Sequence, residues 1–250
     1  MIRVESLSKS FENKSVLSDI NVTFEAGKVN LIIGKSGSGK TVLLKSLIGL
    51  HQIDQGHIYY GDRDITQMNI KQLRSLREEI GVVFQGGALF DSQTVLENVM
   101  FPLNLFTNLA EEEKRDRAIS CLHRVDLMEA EQLYPSEISG GMKKRVAIAR
   151  AIVLKPQFLF CDEPNSGLDP LTSILIDNLI SEITHEYKMT TVVNTHDMNS
   201  VFEIGEKIIF IHEGRKEWEG NKDEIANSDN IYLNNFIFSS ELFKKIRKNL

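Results

Sequence analysis

Hydrophobic and polar residues alternate through the first part of the chain in the pattern of β-strands. Ile2, Val4 and, less regularly, Leu7 fit a two-residue period, and residues 20–24 repeat it. A turn then leads into the apolar run 29–33. We therefore expect short strands up to this run, joined by turns.

The rest of the chain alternates between patterns typical of strands and of helices. Further strands are predicted at 58–60, near Ile65, and at 80–84, 158–162, 190–195 and 208–211. Helices are predicted after Lys40, within 94–131, from Ser139 to about Leu154, and after Pro170. This order predicts an α/β fold with a mostly parallel core sheet, helices on both faces and an inserted helical subdomain at about 94–154. We expect residues 1–222 to form one domain and residues 223–250 a C-terminal helical extension.

Composition narrows the class of protein. The chain has 250 residues, 42% of them hydrophobic, which is enough for a large core. The net charge of −6 argues against a general nucleic-acid binder. Its two cysteines, Cys121 and Cys161, lack C-x-x-C spacing and predict reduced thiols rather than a disulfide or a zinc site. No apolar run reaches the ~18 residues of a membrane span, so we expect any membrane function to act through partners.

The segment from Gly34 to Thr41 reads G-K-S-G-S-G-K-T and lies between a predicted strand and a predicted helix. It matches the phosphate-binding P-loop, whose glycines let successive backbone N–H groups point inward. The predicted phosphate-binding residues are Gly34, Ser36, Gly37, Ser38, Gly39, Lys40 and Thr41. Lys40 is expected to reach the outer phosphates, and the Thr41 hydroxyl to ligate Mg²⁺.

Two carboxylates, Asp162 and Glu163, end the apolar strand predicted at 158–162. The carboxyl end of a strand is where an open α/β sheet places its ligand site. We expect Asp162 to hold Mg²⁺, directly or through water. Because side chains alternate along a strand, Glu163 is expected to point elsewhere and to polarise the water that attacks the γ-phosphate.

Together, these motifs resemble the nucleotide-binding subunit of an ATP-binding-cassette (ABC) transporter. Five further matches carry the resemblance: the signature-like Ile138-Ser139-Gly140-Gly141-Met142, Gln85 of the Q-loop, the D-loop at 166–170, the switch histidine His196, and Phe11 where an aromatic residue stacks on adenine. The matches keep their order over residues 1–220. The resemblance implies a P-loop NTPase (RecA-like) ABC ATPase domain with an antiparallel β subdomain and an inserted α-helical subdomain.

The same resemblance implies an ATP hydrolase that uses ATP and Mg²⁺ and works as a homodimer. Glu163, Gln85 and His196 would be catalytic, with Gln85 contacting Mg²⁺ or the attacking water and His196 the γ-phosphate. The signature residues Ser139, Gly140 and Gly141 would close over nucleotide held by the partner's P-loop, next to Asp169 at the dimer interface. The departures from the common pattern, Met142, Ile138 and Phe11, remove no group needed for hydrolysis.

Residues 84–92 and 94–103 are similar to one branch, the ATPase of Mla-type systems, which move phospholipids between bacterial membranes. This resemblance implies a transmembrane permease partner, with room for a small regulatory subunit and a lipid-binding substrate protein. It places the protein in the cytoplasm, peripheral on the inner membrane and touching it only through the permease. Other ABC importers, or an exporter of lipoproteins or drugs, remain alternatives, and these residues also suit simple packing of the helical subdomain.

The end of the chain has an amphipathic helical pattern. Its apolar face would carry Phe236, Leu242, Phe243, Ile246 and Leu250 opposite three lysines. Mla-type ATPases reach across their dimer with such an extension, so partner packing is the preferred interpretation. Packing on a membrane surface or on its own domain remains open.

Two rivals from other classes remain. A soluble ABC ATPase of the DNA-repair or translation type usually carries long coiled coils or two cassettes, and the sequence has neither. A scaffold that binds ATP without hydrolysing it is disfavoured because Glu163, Gln85 and His196 are all present.

Overall fold

The computed structural model describes residues 1–12 and 14–238. In this part of the chain the strands are β1 (Ile2–Phe11), β2 (Lys14–Phe24), β3 (Val29–Ile33), β4 (Gln55–Tyr60), β5 (Arg63–Asp64), β6 (Ile80–Val83), β7 (Phe158–Asp162), β8 (Thr190–Thr195), β9 (Lys207–His212) and β10 (Arg215–Gly220). The helices are α1 (Lys40–Leu47), α2 (Ile70–Glu78), α3 (Val95–Phe106), α4 (Glu111–Arg124), α5 (Gly140–Ile152), α6 (Pro170–Tyr187), α7 (Met198–Ile204), α8 (Lys222–Ile225) and α9 (Ile231–Ile237).

A six-stranded sheet in the order β10-β9-β3-β8-β7-β6 forms the centre of the molecule. The strands from β9 to β6 run parallel, and β10 is antiparallel to β9 at the edge. Every residue of β3, β7 and β8 is buried, as expected for strands covered on both faces. The predicted parallel α/β core is thereby confirmed.

A second, four-stranded antiparallel sheet has the order β2-β1-β4-β5 and forms the predicted antiparallel subdomain. The prediction of short strands was wrong here, since β1 and β2 have 10 and 11 residues. Both are interrupted by register shifts, and Ser6 and Asp19 adopt positive φ values of 47° and 51°. The shift between Val4 and Leu7 explains why Leu7 is fully buried although it breaks the two-residue period.

Several elements differ from their predictions. Ile65 lies in a 3-10 turn instead of a strand, because the Asp64 carboxylate caps that turn at the N–H of Thr66. The sequence reasoning missed β10, which is charged and only half-buried, and α7. It also missed α2, a helix of largely polar composition in which Leu76 alone is buried.

The helical subdomain is inserted between β6 and β7 and contains α3, α4 and α5. Its first helix begins with a capping box, in which Thr94 accepts from the N–H of Glu97 and Glu97 accepts from the N–H of Thr94. The three helices share one buried cluster with the central sheet. The subdomain is therefore anchored to the strands that border the candidate site.

After β10 the chain returns to the central core. Leu233 and Ile237 of α9 are buried in the main cluster, and the Phe236 ring lies 5.5 Å from that of Phe210. The other members of the predicted amphipathic face lie outside the described residues. No helix in the described part of the chain is long and apolar enough to cross a membrane.

Two glycines of the antiparallel sheet, one within β4 and one directly after it, differ in the space around them. A Cβ on Gly56 (φ 91°) would lie 2.3 Å from the Glu5 carbonyl oxygen, whereas one on Gly61 (φ 60°) would meet nothing within 4 Å. We expect Gly56→Ala to lower the free energy of unfolding by about 3 kcal/mol and Gly61→Ala by about 1 kcal/mol. Denaturant titration of both variants measures the difference, and equal losses would contradict the close packing of β4 on β1.

Candidate functional site

The candidate site lies where four neighbouring parallel strands end. The P-loop follows β3, the Asn194-Thr195-His196 segment ends β8, Asp162 ends β7 and Gln85 follows β6. Since these strands are adjacent and parallel, their carboxyl ends meet at one edge of the sheet. This edge is where open α/β sheets bind ligands.

Glycine is required at two points of the P-loop. Gly34 has φ 150°, and a Cβ there would lie 2.2 Å from the Ile211 carbonyl oxygen. Gly39 has φ 107°, and its Cβ would lie 2.8 Å from Leu17. By contrast Gly37, at φ 78°, faces open space. The loop is thus held close to β2 and β9 at both ends and is exposed at its tip.

Lys40, the first residue of α1, is buried against the P-loop. Its Nζ donates to the carbonyl oxygens of Gly34 (2.9 Å) and Lys35 (3.1 Å). Burial lowers the pKa of Lys40, and the charges of Glu163 and Asp162 oppose that shift. The first turn of α1 has no side-chain cap, because Gly39 stands at its N-cap. The loop therefore presents open backbone N–H groups, which suit an anion.

Polar atoms near the loop are arranged for a hard cation. Thr41 Oγ1 lies 3.3 Å from Asp162 Oδ1, and Asn194 Nδ2 donates to both, at 3.3 Å and 2.8 Å. The Oγ of Ser38 and the Oδ1 of Asn194 are buried without a hydrogen-bond partner among the described residues. Hydroxyl and carboxylate oxygens suit Mg²⁺, which takes its remaining ligands from phosphate and water. The donor set fits magnesium bound together with a nucleotide.

The sequence reasoning missed Asn194. It is fully buried on β8 and holds the Asp162 carboxylate beside Thr41. The available signal was a polar side chain inside a β-branched strand, next to the segment that ends in His196. A buried amide at such a position needs partners, and a neighbouring strand end supplies them.

Glu163 contacts both of the other predicted catalytic residues. Gln85 Nε2 donates to Glu163 Oε2 at 2.9 Å, and His196 Nδ1 lies 3.1 Å from Glu163 Oε1. The expected reason for its separation from Asp162 was wrong, since β7 ends at Asp162 and strand alternation no longer applies. Glu163 instead adopts φ 47°, and this left-handed turn directs it away from its neighbour.

The Gln85 side chain forms its hydrogen bonds with Glu163 and with the loop that follows it. Its Nε2 also contacts Ser166 Oγ at 3.2 Å, and its backbone carbonyl accepts from the Lys144 ammonium. Burial lowers the pKa of Lys144, which lies near the N-terminus of α5, the last helix of the helical subdomain. The hydrogen bonds of the Gln85 side chain thus place it next to Glu163, and its predicted catalytic and metal-binding roles both stay predictions.

The signature residues form a separate surface. Ser139 caps α5 by accepting from the Met142 N–H at 3.2 Å, which leaves Gly140 and Gly141 at the helix N-terminus. They line an open cleft of about 600 Å³ together with Asp169, and its lining includes no P-loop residue. The Asp169 carboxylate caps α6 by accepting hydrogen bonds from the N–H and the hydroxyl of Thr172. These two hydrogen bonds lower the pKa of Asp169. One chain thus keeps its signature apart from its own P-loop.

Phe11 ends β1 and is 40% exposed. The His51 ring meets it edge-on at 5.3 Å, and Lys9 Nζ lies 5.0 Å from its centroid. Lys9 is in turn held by Asp54 at 2.9 Å. Phe11 is placed for stacking, and its role at the adenine remains a prediction.

Known proteins share this arrangement. The family profile described as ABC transporter matches residues 17–166. The probable ribonucleotide transport ATP-binding protein mkl of Mycobacterium tuberculosis is 38% identical over 236 residues, which cover 94% of this chain and 66% of the relative. The methionine import ATP-binding protein MetN of Clostridioides difficile is 36% identical over 225 residues, covering 90% of this chain and 70% of the relative. This chain thus spans 66% of the length of the mycobacterial protein.

A solved structure agrees with the sequence relatives. The dimeric structure of MJ0796, described as a bacterial ABC transporter cassette, matches with a TM-score of 0.82 and 33% identity and covers 89% of this chain and 99% of that one. A second dimeric structure of MJ0796, in a post-hydrolysis state with ADP and Pi, matches with the same TM-score of 0.82 and with 32% identity, and covers 89% of this chain and 99% of that one. The fold and the site thus define an ATP-binding cassette of the P-loop NTPase class. The chain belongs to the ABC transporter family, and its enzyme class is the ABC ATPase.

Asn194 provides a test of the proposed metal site. We expect Asn194→Ala to raise the Mg²⁺ concentration for half-maximal ATPase activity by about 10-fold or more, because Asp162 and Thr41 lose their shared donor. The rate at saturating Mg²⁺ should change less. Asn108→Ala, at an exposed position between α3 and α4, is the control. An unchanged Mg²⁺ requirement would contradict this function of Asn194.

Proposed function

We propose that this chain is the ATP-hydrolysing subunit of a bacterial inner-membrane ABC transporter of the Mla type, which moves phospholipid between membranes. It works with Mg²⁺ as a homodimer on the cytoplasmic side of a transmembrane permease. The cluster of Gln85, Glu163 and His196 beside the P-loop is the observation that carries the ATPase part of this proposal.

Hydrolysis needs a base for the attacking water and a fixed phosphate. Glu163 is the candidate base, because its carboxylate can accept the proton of that water while Gln85 and His196 hold its two oxygens. Lys40 and the N–H groups of the P-loop bind the phosphates. Magnesium, when bound by Thr41 and Asp162, neutralises charge on the phosphate oxygens. In this arrangement Asp162 and Glu163 divide metal binding and proton transfer between them.

The separation of the signature from the P-loop supports the homodimer. Ser139 and the two glycines that follow it form a helix N-terminus that suits an anion, yet their cleft has no P-loop lining. A second copy of the chain would bring its P-loop nucleotide to this surface, with Asp169 at the same interface. The dimeric cassette MJ0796 is consistent with this assembly.

The segment after Gln85 supports a permease contact. Phe90 and Phe101 are 41% and 37% exposed, and their rings pack 4.7 Å apart. Phe90 is fixed by Asn98, which donates to its carbonyl oxygen and accepts from its N–H. An ordered apolar pair next to the catalytic glutamine suits a membrane partner that senses the nucleotide. The same segment carries the Mla-type resemblance and hence the proposed lipid cargo.

An importer of small molecules is the second candidate function. The names of relatives of this chain refer to ribonucleotide transport and to methionine import. Either assignment would keep the ATPase, the homodimer and the permease and would change the cargo. A small regulatory subunit and a lipid-binding substrate protein are additional partners under the Mla-type proposal alone.

The first test concerns catalysis. We expect Glu163→Gln to retain ATP binding and to lower ATP hydrolysis by about 100-fold to 10,000-fold, because a neutral amide cannot accept the proton. Phosphate release and equilibrium nucleotide binding measure the two effects. Glu129→Gln, at an exposed carboxylate, is the control. Hydrolysis at the parental rate in Glu163→Gln would rule out the role of Glu163.

The second test concerns the permease. We expect Phe90→Ala to reduce the permease retained with the chain by about 10-fold, while the ATPase of the isolated cassette stays unchanged. Met128→Ala, at a side chain that is 60% exposed, is the control. Equal permease recovery in all three proteins would exclude Phe90 from the contact.

The cargo is tested on the complex recovered by gentle detergent extraction. Mass spectrometry of the permease and of bound small molecules identifies the transport system. Co-purified phospholipid and a lipid-type permease support the Mla-type proposal. An amino-acid or nucleoside permease without bound lipid would replace it with the importer alternative.

A further inference from the structure

A buried carboxylate, Asp177 on α6, lies outside the catalytic cluster. Only 2% of this residue is exposed. The charged groups that act on it are the carboxylates of Asp197, the N-cap residue of α7, and of Glu203 on α7, and both disfavour its negative charge. The Cys161 thiol of β7 lies near it as well, and burial raises the pKa of that thiol. A buried carboxylate in these surroundings is costly and needs an explanation.

Asp177 belongs to a closed ring of three polar side chains. Asn165 Nδ2 donates to Asp177 Oδ1 at 2.8 Å and to Ser200 Oγ at 3.2 Å, and the Ser200 hydroxyl also bonds the Asp177 carboxylate. Because an ionised carboxylate only accepts hydrogen bonds, it holds the Asn165 amide with Nδ2 toward it. The Asn165 Oδ1 is then left buried without a partner among the described residues.

The ring joins the two segments that carry the catalytic groups. Asn165 lies in the tight loop after Glu163, where the Ser166 N–H donates to the Glu163 carbonyl oxygen at 3.1 Å. Ser200 lies in the first turn of α7, directly after the His196 segment. Glu163 and His196 are themselves 3.1 Å apart. The ring and the contact between Glu163 and His196 therefore link the same two segments.

We propose that Asp177 is a positioning residue that acts through Asn165 and Ser200 to set the contact between Glu163 and His196, and so the rate of ATP hydrolysis. The inference rests on the proposed ATPase function. It gives a role in hydrolysis to a group of side chains that lies outside the proposed nucleotide site. Protonation of Asp177 adds a donor to the ring. The Asn165 amide is then free to rotate and to satisfy its Oδ1, which releases its bond to Ser200.

We expect the negative charge of Asp177 to lower the stability of the fold and to raise the rate of ATP hydrolysis. Burial raises the pKa of Asp177 from 3.8 to about 6. Its contribution to stability is therefore greatest below the unfolded value of 3.8 and is lost as the pH rises through about 6. An asparagine at this position avoids that cost at neutral pH but imitates the protonated state. A merely structural residue would lower stability and activity together.

The test compares Asp177→Asn with the parent in the full chain. Near pH 7.5 we expect kcat for ATP to fall by about 10-fold, with KM unchanged and the unfolding temperature equal or higher. The ratio of the two kcat values should approach one as the pH falls to about 5, where Asp177 of the parent is protonated. Asp116→Asn, at an exposed position of α4, is the control.

Ser200→Ala provides a second variant that keeps the carboxylate and removes one corner of the ring. It should lower kcat at constant KM. Unchanged kcat in this variant, a kcat ratio for Asp177→Asn that does not vary with pH, or a joint loss of kcat and stability in Asp177→Asn would each overturn the inference. These results leave the proposed function intact if Glu163→Gln abolishes hydrolysis by the otherwise active chain, whereas a parent without ATPase activity overturns both proposals.

Discussion

The site depends on how two adjacent carboxylates at the end of β7 are kept apart. Asp162 is the last residue of the strand and is held by the Asn194 amide next to Thr41. Glu163 turns into the left-handed region and is held by Gln85 and His196. Two carboxylates side by side repel each other, so separate partners on either side of β7 keep them apart. Metal binding and base catalysis can then belong to neighbouring residues.

The order of strands makes these partners available. The parallel neighbours of β7 are β8 and β6, which supply Asn194 with His196 on one side and Gln85 on the other. Lys144 bonds the backbone of Gln85 from α5, the helix that begins at the signature. The signature surface and Glu163, the proposed base, are thereby joined through one short chain of contacts. Movement of the helical subdomain would reach Glu163 by this route.

The P-loop, Asp162 and Glu163 were predictable because each is a short pattern at the end of an apolar strand. Gln85 and His196 followed from the resemblance to ABC ATPases. Asn194 and Asp177 were not predictable in this way. A polar residue inside a buried strand or helix shows no periodicity, and its partners come from segments distant in the sequence. The left-handed conformation of Glu163 was also not predicted, because this position holds neither glycine nor asparagine, the residues that commonly adopt it. The core sheet was predictable, whereas α2 and β10 were too weakly apolar to be recognised.

The most direct test of the account is a structure of the chain with a non-hydrolysable ATP analogue and Mg²⁺. We expect the triphosphate on the N–H groups of the P-loop, the metal on Thr41 and Asp162, and the Glu163 carboxylate facing the γ-phosphate. Ser139 of a second copy should lie on the opposite side of that phosphate. A nucleotide bound elsewhere, or a γ-phosphate that contacts neither Glu163 nor a second copy, would contradict it.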